Sequence, residues 1–211
     1  WQTSNMMIGL EKTMVERKPD VAMVPGDTNS TLAGAVAAVK LHVPVAHVEA
    51  GARSHDMRMP EEVNRRLADH SSSLLFAPTR NCARNLRLEG FPKEVVKVSG
   101  DTMYDALLRH LAASRTDILR KLKLRSEEYA VLTLHRPENV DDSESLGRIA
   151  KALMSLKLPV VFPVHPRTRQ RLTETGLLKR KKRNAYIKLT DPLSYHEMLQ
   201  LTKHSRMVFT D

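Results

Sequence analysis

Short apolar runs alternate along this chain with longer stretches in which apolar positions recur every three or four residues. The runs at residues 21–24, 43–48, 74–77, 95–98, 130–134, 160–164, 186–189 and 207–209 are too short for helices. Most lack polar alternation, as expected of parallel strands covered on both faces. The stretches at 6–17, 31–41, 60–71, 81–88, 104–122, 143–156, 168–178 and 195–203 carry the helical period. Strand and helix therefore take turns throughout. That is the pattern of doubly wound α/β sheets with right-handed crossovers. A charged helical stretch near residues 112–128 separates two halves of similar pattern. Two Rossmann-like domains are expected, residues 1–116 and 117–211.

Ligands of open α/β sheets bind outside the carboxyl ends of the strands. The segment after each apolar run is therefore informative. In chain order these segments are PGDTNST, EAGARSHD, PTRN, SGDT, HRPEN, HPRT, TDP and TD. Carboxylates, imidazoles, guanidiniums and glycines thus collect at one edge. In GDTNST, Gly26 permits a tight turn, and Asp27, Thr28, Asn29 or Ser30 can cap the next helix. The same turn can present backbone N–H groups to a phosphate or a sugar hydroxyl. Glu49 ends a buried run, where an ionised carboxylate is costly unless it is paired or functional. Arg53 and Arg65 are its candidate salt-bridge partners. Pro60 suits the first position of a helix, with Glu61 and Glu62 at its positive end. Glu61 and Arg65 stand four apart and can form an ordinary helix pair. His135 and Arg136 follow the strongest run of the second half, where a cap and a functional role remain open alternatives. Two carboxylates, a histidine and several arginines around one crevice suit proton transfer beside a bound anion. His47, His55 and His70 do not form a metal-ligand spacing, and no metal is expected.

Composition narrows the class. The chain is 41% hydrophobic and 27% charged, the balance of a soluble globular protein. No run approaches the ~20 residues of a membrane span, and no signal peptide is visible. Cys82 is the single cysteine. That excludes a disulfide framework and a thiolate metal cage, and a cytoplasmic location is expected. The net charge is +10, so nucleic acid, a membrane surface and an anionic small molecule all need weighing. The densest run, Lys179, Arg180, Lys181, Lys182 and Arg183, reads as a solvated loop between a helix and a strand. No aromatic residue interleaves with it, which argues against a single-strand stacking platform. No nucleic-acid or membrane partner is expected.

Six segments, in order and at compatible spacing, are similar to the successive motifs of the non-hydrolysing UDP-N-acetylglucosamine 2-epimerases. They are GDTNSTLAGAVAA, PVAHVEAGARSHDMRMPEEVNRRLADH, VSGDTMYDAL, LTLHRPENVDD, FPVHPRT and LTDPLSYHEML. The resemblance runs from about residue 20 to the end. It implies two Rossmann-like domains arranged as in GT-B glycosyltransferases, with the active site between them. It implies inversion at C2 of UDP-GlcNAc to UDP-ManNAc, through elimination and re-addition of UDP, with no cofactor. It places Asp27, Glu49 and Glu61 as the catalytic carboxylates at the sugar, His135 at the nucleotide, and Arg65 and Arg136 among the substrate-binding residues. Leu193 and Met198 frame the uracil. It also implies a homodimer serving cell-envelope polysaccharide synthesis. Rival readings are a hydrolysing epimerase, a GT-B glycosyltransferase, or a non-catalytic nucleotide-sugar sensor. The family's amino-terminal Gly-rich turn and the Ser-Gly-Gly loop after TD do not occur in this sequence. The chain is therefore read as truncated at both ends, with both domains incomplete, and as inactive alone.

Overall fold

The computed structural model describes residues 1–134, 136–156, 158–164, 166–174 and 186–211. These residues form two compact units, Trp1–Ala106 and Leu107–Asp211. Each unit is built on its own four-stranded parallel sheet. The fold is α/β and Rossmann-like. The run of basic residues 179–183 lies outside the described residues.

In the first unit, helix α1 (Gln2–Arg17) precedes β1 (Ala22–Pro25), α2 (Asn29–Lys40), β2 (Val45–Val48), α3 (Pro60–His70), β3 (Leu74–Ala77), α4 (Arg80–Leu88) and β4 (Val96–Val98). The strands lie in the order β1-β2-β3-β4. Register pairs Val24 with His47 and His47 with Leu75. Helix α2 is rich in alanine because it packs close to the sheet. Ala33, Ala35 and Ala38 are fully buried, and a Cβ on Gly34 would stand 3.0 Å from Val24. Val24, Ala35, Ala38, Val45 and Ala68 form one small-residue core, and Ala50, Leu75, Ala77 and Leu86 form a second.

The second unit takes in the later part of α5 (Thr102–Ala113), followed by α6 (Ile118–Lys121), β5 (Ala130–Thr133), α7 (Pro137–Val140), α8 (Ser143–Ser155), β6 (Val160–Pro163), α9 (Pro166–Glu174), β7 (Ile187–Thr190), α10 (Tyr195–Lys203) and β8 (Met207–Thr210). Its strand order is β7-β6-β5-β8, so the order reverses between β5 and β8. Ligands of doubly wound sheets bind at such reversals.

Two sequence expectations are corrected. The helical stretch 104–122 is interrupted at residues 114–117. There the Ser114 carbonyl accepts from Gln200 of α10 (3.1 Å), and the Ser114 hydroxyl donates to the His196 carbonyl (3.2 Å). These cross-links replace helical bonds, and the buried Ile118 anchors the new turn. Burial on both faces holds for β2, β5 and β6 but not for the edge strands. Met23 of β1, Val98 of β4 and Val208 of β8 are exposed. An edge strand has a neighbour on one side only, and fewer elements cover it. Among the described residues, no helix is long and apolar enough to cross a membrane.

Candidate active site

The carboxyl ends of β1 and β2 lie side by side and deliver two carboxylates. After β1, Gly26 takes φ +70°, and its N–H donates to the Val48 carbonyl (3.0 Å), which ties the turn to β2. Thr28, not Asp27, caps α2. Its hydroxyl accepts from the Thr31 N–H, while the Thr31 hydroxyl donates to the Pro25 carbonyl (2.6 Å). The cap therefore leaves the Asp27 carboxylate free for other work. That carboxylate forms an ion pair with Arg65 of α3. The amide of Asn64, buried beside it, donates to the Asp27 carbonyl (3.0 Å) and fixes the turn from the same helix.

Glu49 follows β2 with φ +70°, a conformation that is strained for a residue with a side chain. Its carboxylate lies against Gly26, 3.7 Å from where a Cβ there would sit. Neither arginine that the sequence offered pairs with it. Arg53 donates to Glu89 (2.7 and 2.6 Å) and contacts Asp69 (2.7 Å), and Arg65 serves Asp27 and Glu62. Burial, the neighbouring Asp101 carboxylate and then Asp27 push the Glu49 carboxyl above its ordinary range, and His47 partly opposes them. Glu49 is thus a strained carboxylate with a strengthened hold on its proton. Those are the properties of a candidate proton-transfer group.

Helix α3 starts at Pro60 with two adjacent glutamates that behave differently. Glu61 is exposed in the first turn. Glu62 is fully buried, and its carboxylate accepts from the Ser54 N–H (2.8 Å), Arg65 (3.2 Å) and Arg66 (2.8 Å). Burial alone would raise the Glu62 carboxyl, but the Ser54 N–H and hydroxyl and the Arg66 guanidinium more than offset it and bring it down to about 2. The helix pairing open to Glu61 and Arg65 is taken instead by Glu62 with Arg65 (3.2 Å). The Arg65 Nε is buried without a hydrogen-bond partner among the described residues. A guanidinium one-eighth exposed, with an orphan N–H, is suited to an anionic ligand.

In the second unit the β5–β8 reversal carries its own polar cluster. The Arg136 backbone N–H (2.9 Å) and the Asn139 amide (3.2 Å) both donate to the Asp211 carboxylate. The Thr133 hydroxyl meets Thr210 at 3.0 Å. The Arg136 side chain is exposed. His135 lies outside the described residues. Leu193 and Met198 are half-buried and pack against the core of Tyr129, Val131, Val161 and Leu201. Ser194 and Glu197 close a capping box at the start of α10. Arg169, which the sequence pattern does not single out, donates to the Thr190 carbonyl (3.1 Å) and to Asp191 (2.8 Å). None of His47, Asn64, Asp69 and Asp101 is assigned a role by the sequence, although His47 is weighed as a metal ligand and Asp101 stands in the SGDT strand-end segment. The first three look like strand and helix filler, and Asp101 like a cap alone, which it also is for α5.

The family model described as UDP-N-acetylglucosamine 2-epimerase matches residues 1–211. UDP-N-acetylglucosamine 2-epimerase of Methanocaldococcus jannaschii is 44% identical over 218 residues, covering 100% of this chain and 60% of the relative. UDP-2,3-diacetamido-2,3-dideoxy-D-glucuronate 2-epimerase of Pseudomonas aeruginosa is also 44% identical, over 215 residues, covering 99% of this chain and 58% of the relative. The crystal structure of the M. jannaschii enzyme in complex with UDP-GlcNAc and UDP superposes with a TM-score of 0.86 at 43% identity, covering 100% of this chain and 60% of that one. This chain therefore spans about 60% of the length of the curated relatives it matches.

Proposed function

Because the chain belongs to the UDP-N-acetylglucosamine 2-epimerase family, we propose that the whole protein interconverts UDP-GlcNAc and UDP-ManNAc by inversion at C2. The C2–H and C1–O bonds break, a C1=C2 double bond forms, and UDP departs. Return of a proton to the opposite face of C2, with re-addition of UDP oxygen to C1, gives the epimer. The sequence needs a proton carrier, carboxylates around the sugar, and positive charge where the diphosphate leaves.

The observation that carries this reading is the state of Glu49. It is strained, has no arginine partner among the described residues, and is pushed above its ordinary range by burial, Asp101 and Asp27. We assign Glu49 as the proton carrier, with Asp27 and Glu61 as the other carboxylates at the sugar. Arg65, with its orphan N–H, is assigned to the departing UDP. His135, Arg136, Leu193 and Met198 are assigned to the nucleotide from their motif positions. Homodimeric assembly, a cytoplasmic location and a role in envelope polysaccharide synthesis rest on family resemblance.

The identity to the P. aeruginosa relative supports a second reading, in which the sugar is the diacetamido glucuronate. The chemistry at C2 would be the same. The crowd of Asp27, Glu49 and Asp101 favours the neutral sugar, since a sugar carboxylate would add like charge. Incubating the full-length protein with each nucleotide sugar and resolving the products by proton NMR decides between them. UDP-ManNAc from UDP-GlcNAc supports the first reading. Free ManNAc, or turnover of the glucuronate alone, overturns it.

A further inference from the structure

The His47 ring is fully buried beneath the candidate site, and both of its nitrogens face oxygen atoms. Nδ1 stands 2.6 Å from a carboxylate oxygen of Asp69 in α3. Nε2 stands 2.8 Å from the Gly26 carbonyl, in the turn that carries Asp27. A carbonyl can only accept. The Asp69 carboxylate is committed as an acceptor as well, because its other oxygen takes the Gly51 N–H (3.1 Å) and pairs with Arg53 (2.7 Å). A neutral ring has one N–H and one lone pair, so it would set a lone pair against one of these oxygens. A ring with both nitrogens protonated satisfies both contacts. Its charge is matched locally. His47 and Arg53 face Asp69 and Glu89, and Glu89 also meets Arg66 (3.8 Å) and His70 (3.4 Å) at the edge of the cluster, in an environment where an uncompensated charge would be costly.

We propose that His47 is a positioning residue, a buried imidazolium that pins the Asp27 turn, the end of β2 and helix α3 to one another and places a fixed positive charge behind Glu49. Three segments that carry candidate groups meet at this ring. The turn after β1 is held through Gly26, β2 carries the ring two residues before Glu49, and α3, which bears Glu61 and Arg65, is held through Asp69. The charged groups around the ring and Glu49 are Asp69 of α3, Arg53 of the loop after β2, Asp27 of the turn after β1, and Asp101 before α5. Against the carboxylates among them, His47 is the charge that opposes the rise in Glu49.

Two measurements on the full-length protein test this. Nitrogen-15 NMR of histidine-labelled protein reads the ring directly. The His47 signals are assigned by their slow exchange with water. Both ring nitrogens are expected to carry a directly bonded hydrogen. One hydrogen-free nitrogen would overturn the imidazolium. The second arm rests on the proposed epimerase reaction. In His47→Gln, whose amide can still donate but carries no charge, the acid limb of kcat/KM should move to higher pH, with kcat lowered about tenfold or more. Lowered turnover with an unmoved acid limb would reduce His47 to a purely structural role and overturn the electrostatic part. The first arm needs neither turnover nor a variant, so it stands or falls apart from the reaction.

Discussion

Arg65 forms an ion pair with Asp27, a residue 38 positions earlier in the chain. The pair joins helix α3 to the turn after β1 and sets a positive charge against Asp27, and among the described residues Glu49 has no arginine partner. In the full-length protein, Arg65→Ala is expected to lower kcat/KM for UDP-GlcNAc by on the order of 100-fold, through loss of a charge-assisted contact to the leaving group. It should also raise the acid limb of the pH profile, because Asp27 then acts on Glu49 unneutralised. Steady-state kinetics across pH check both effects.

Glu49→Gln keeps the shape of the side chain and removes its proton chemistry. Turnover should fall by on the order of 100-fold or more while nucleotide affinity is retained. Kinetics paired with UDP titration by calorimetry separate the two. Near-wild-type turnover would remove Glu49 from the reaction.

Glu61 and Glu62 provide an internal contrast. Glu61→Gln should cost turnover and leave the melting temperature near wild type, since Glu61 is exposed. Glu62→Gln should cost stability, by about 3 kcal/mol, because it leaves buried donors of Arg65, Arg66 and Ser54 imperfectly matched. Thermal and urea melts of both variants check the division.

Glu62 also sets an acid limit. Its carboxyl is depressed from an ordinary value of 4.5 to about 2 in the folded protein. A depressed carboxyl contributes stability above its unfolded value and loses it as pH falls through the folded one. The contribution should therefore be intact above about pH 5 and fade between about 4.5 and about 2. Urea melts through that window should show a steeper loss in wild type than in Glu62→Gln.

Gly51 takes φ +81°, and a Cβ there would stand 2.3 Å from the Cys82 carbonyl. The clash is with backbone, so a side chain cannot simply move aside. Gly51→Ala is expected to destabilise the first unit by about 3 kcal/mol or more. A melt showing no loss would mean that the loop after β2 relaxes freely.

Much of the fold was legible in the chain because strands buried on both faces leave short continuous apolar runs. Val45–Val48, Ala130–Thr133 and Val160–Pro163 stand where those runs lie. The edge strands broke the rule, since exposure at Met23 or Val208 depends on strand order and not on local pattern. The break at residues 114–117 was hidden because its cause is Gln200, 86 positions away. At the site, the strand ends pointed to Asp27 and Glu49 directly. Which of two neighbouring glutamates turns inward was not legible. It is decided by Ser54, eight residues upstream, and by the arginines of α3. Nor was the partner of Arg53 legible, since Glu89 is 36 residues distant. The part played by His47 was not legible for a similar reason. In sequence it is one more residue of an apolar strand, and its role rests on two acceptors brought from 21 and 22 positions away.

The most direct measurement of the central claim is to incubate the full-length protein with UDP-GlcNAc in deuterium oxide and follow C2 by proton NMR. Inversion through removal and return of the C2 proton should give UDP-ManNAc carrying deuterium at C2, with deuterium also entering the recovered UDP-GlcNAc. UDP-ManNAc that keeps its original hydrogen at C2, or an unchanged substrate, would contradict it.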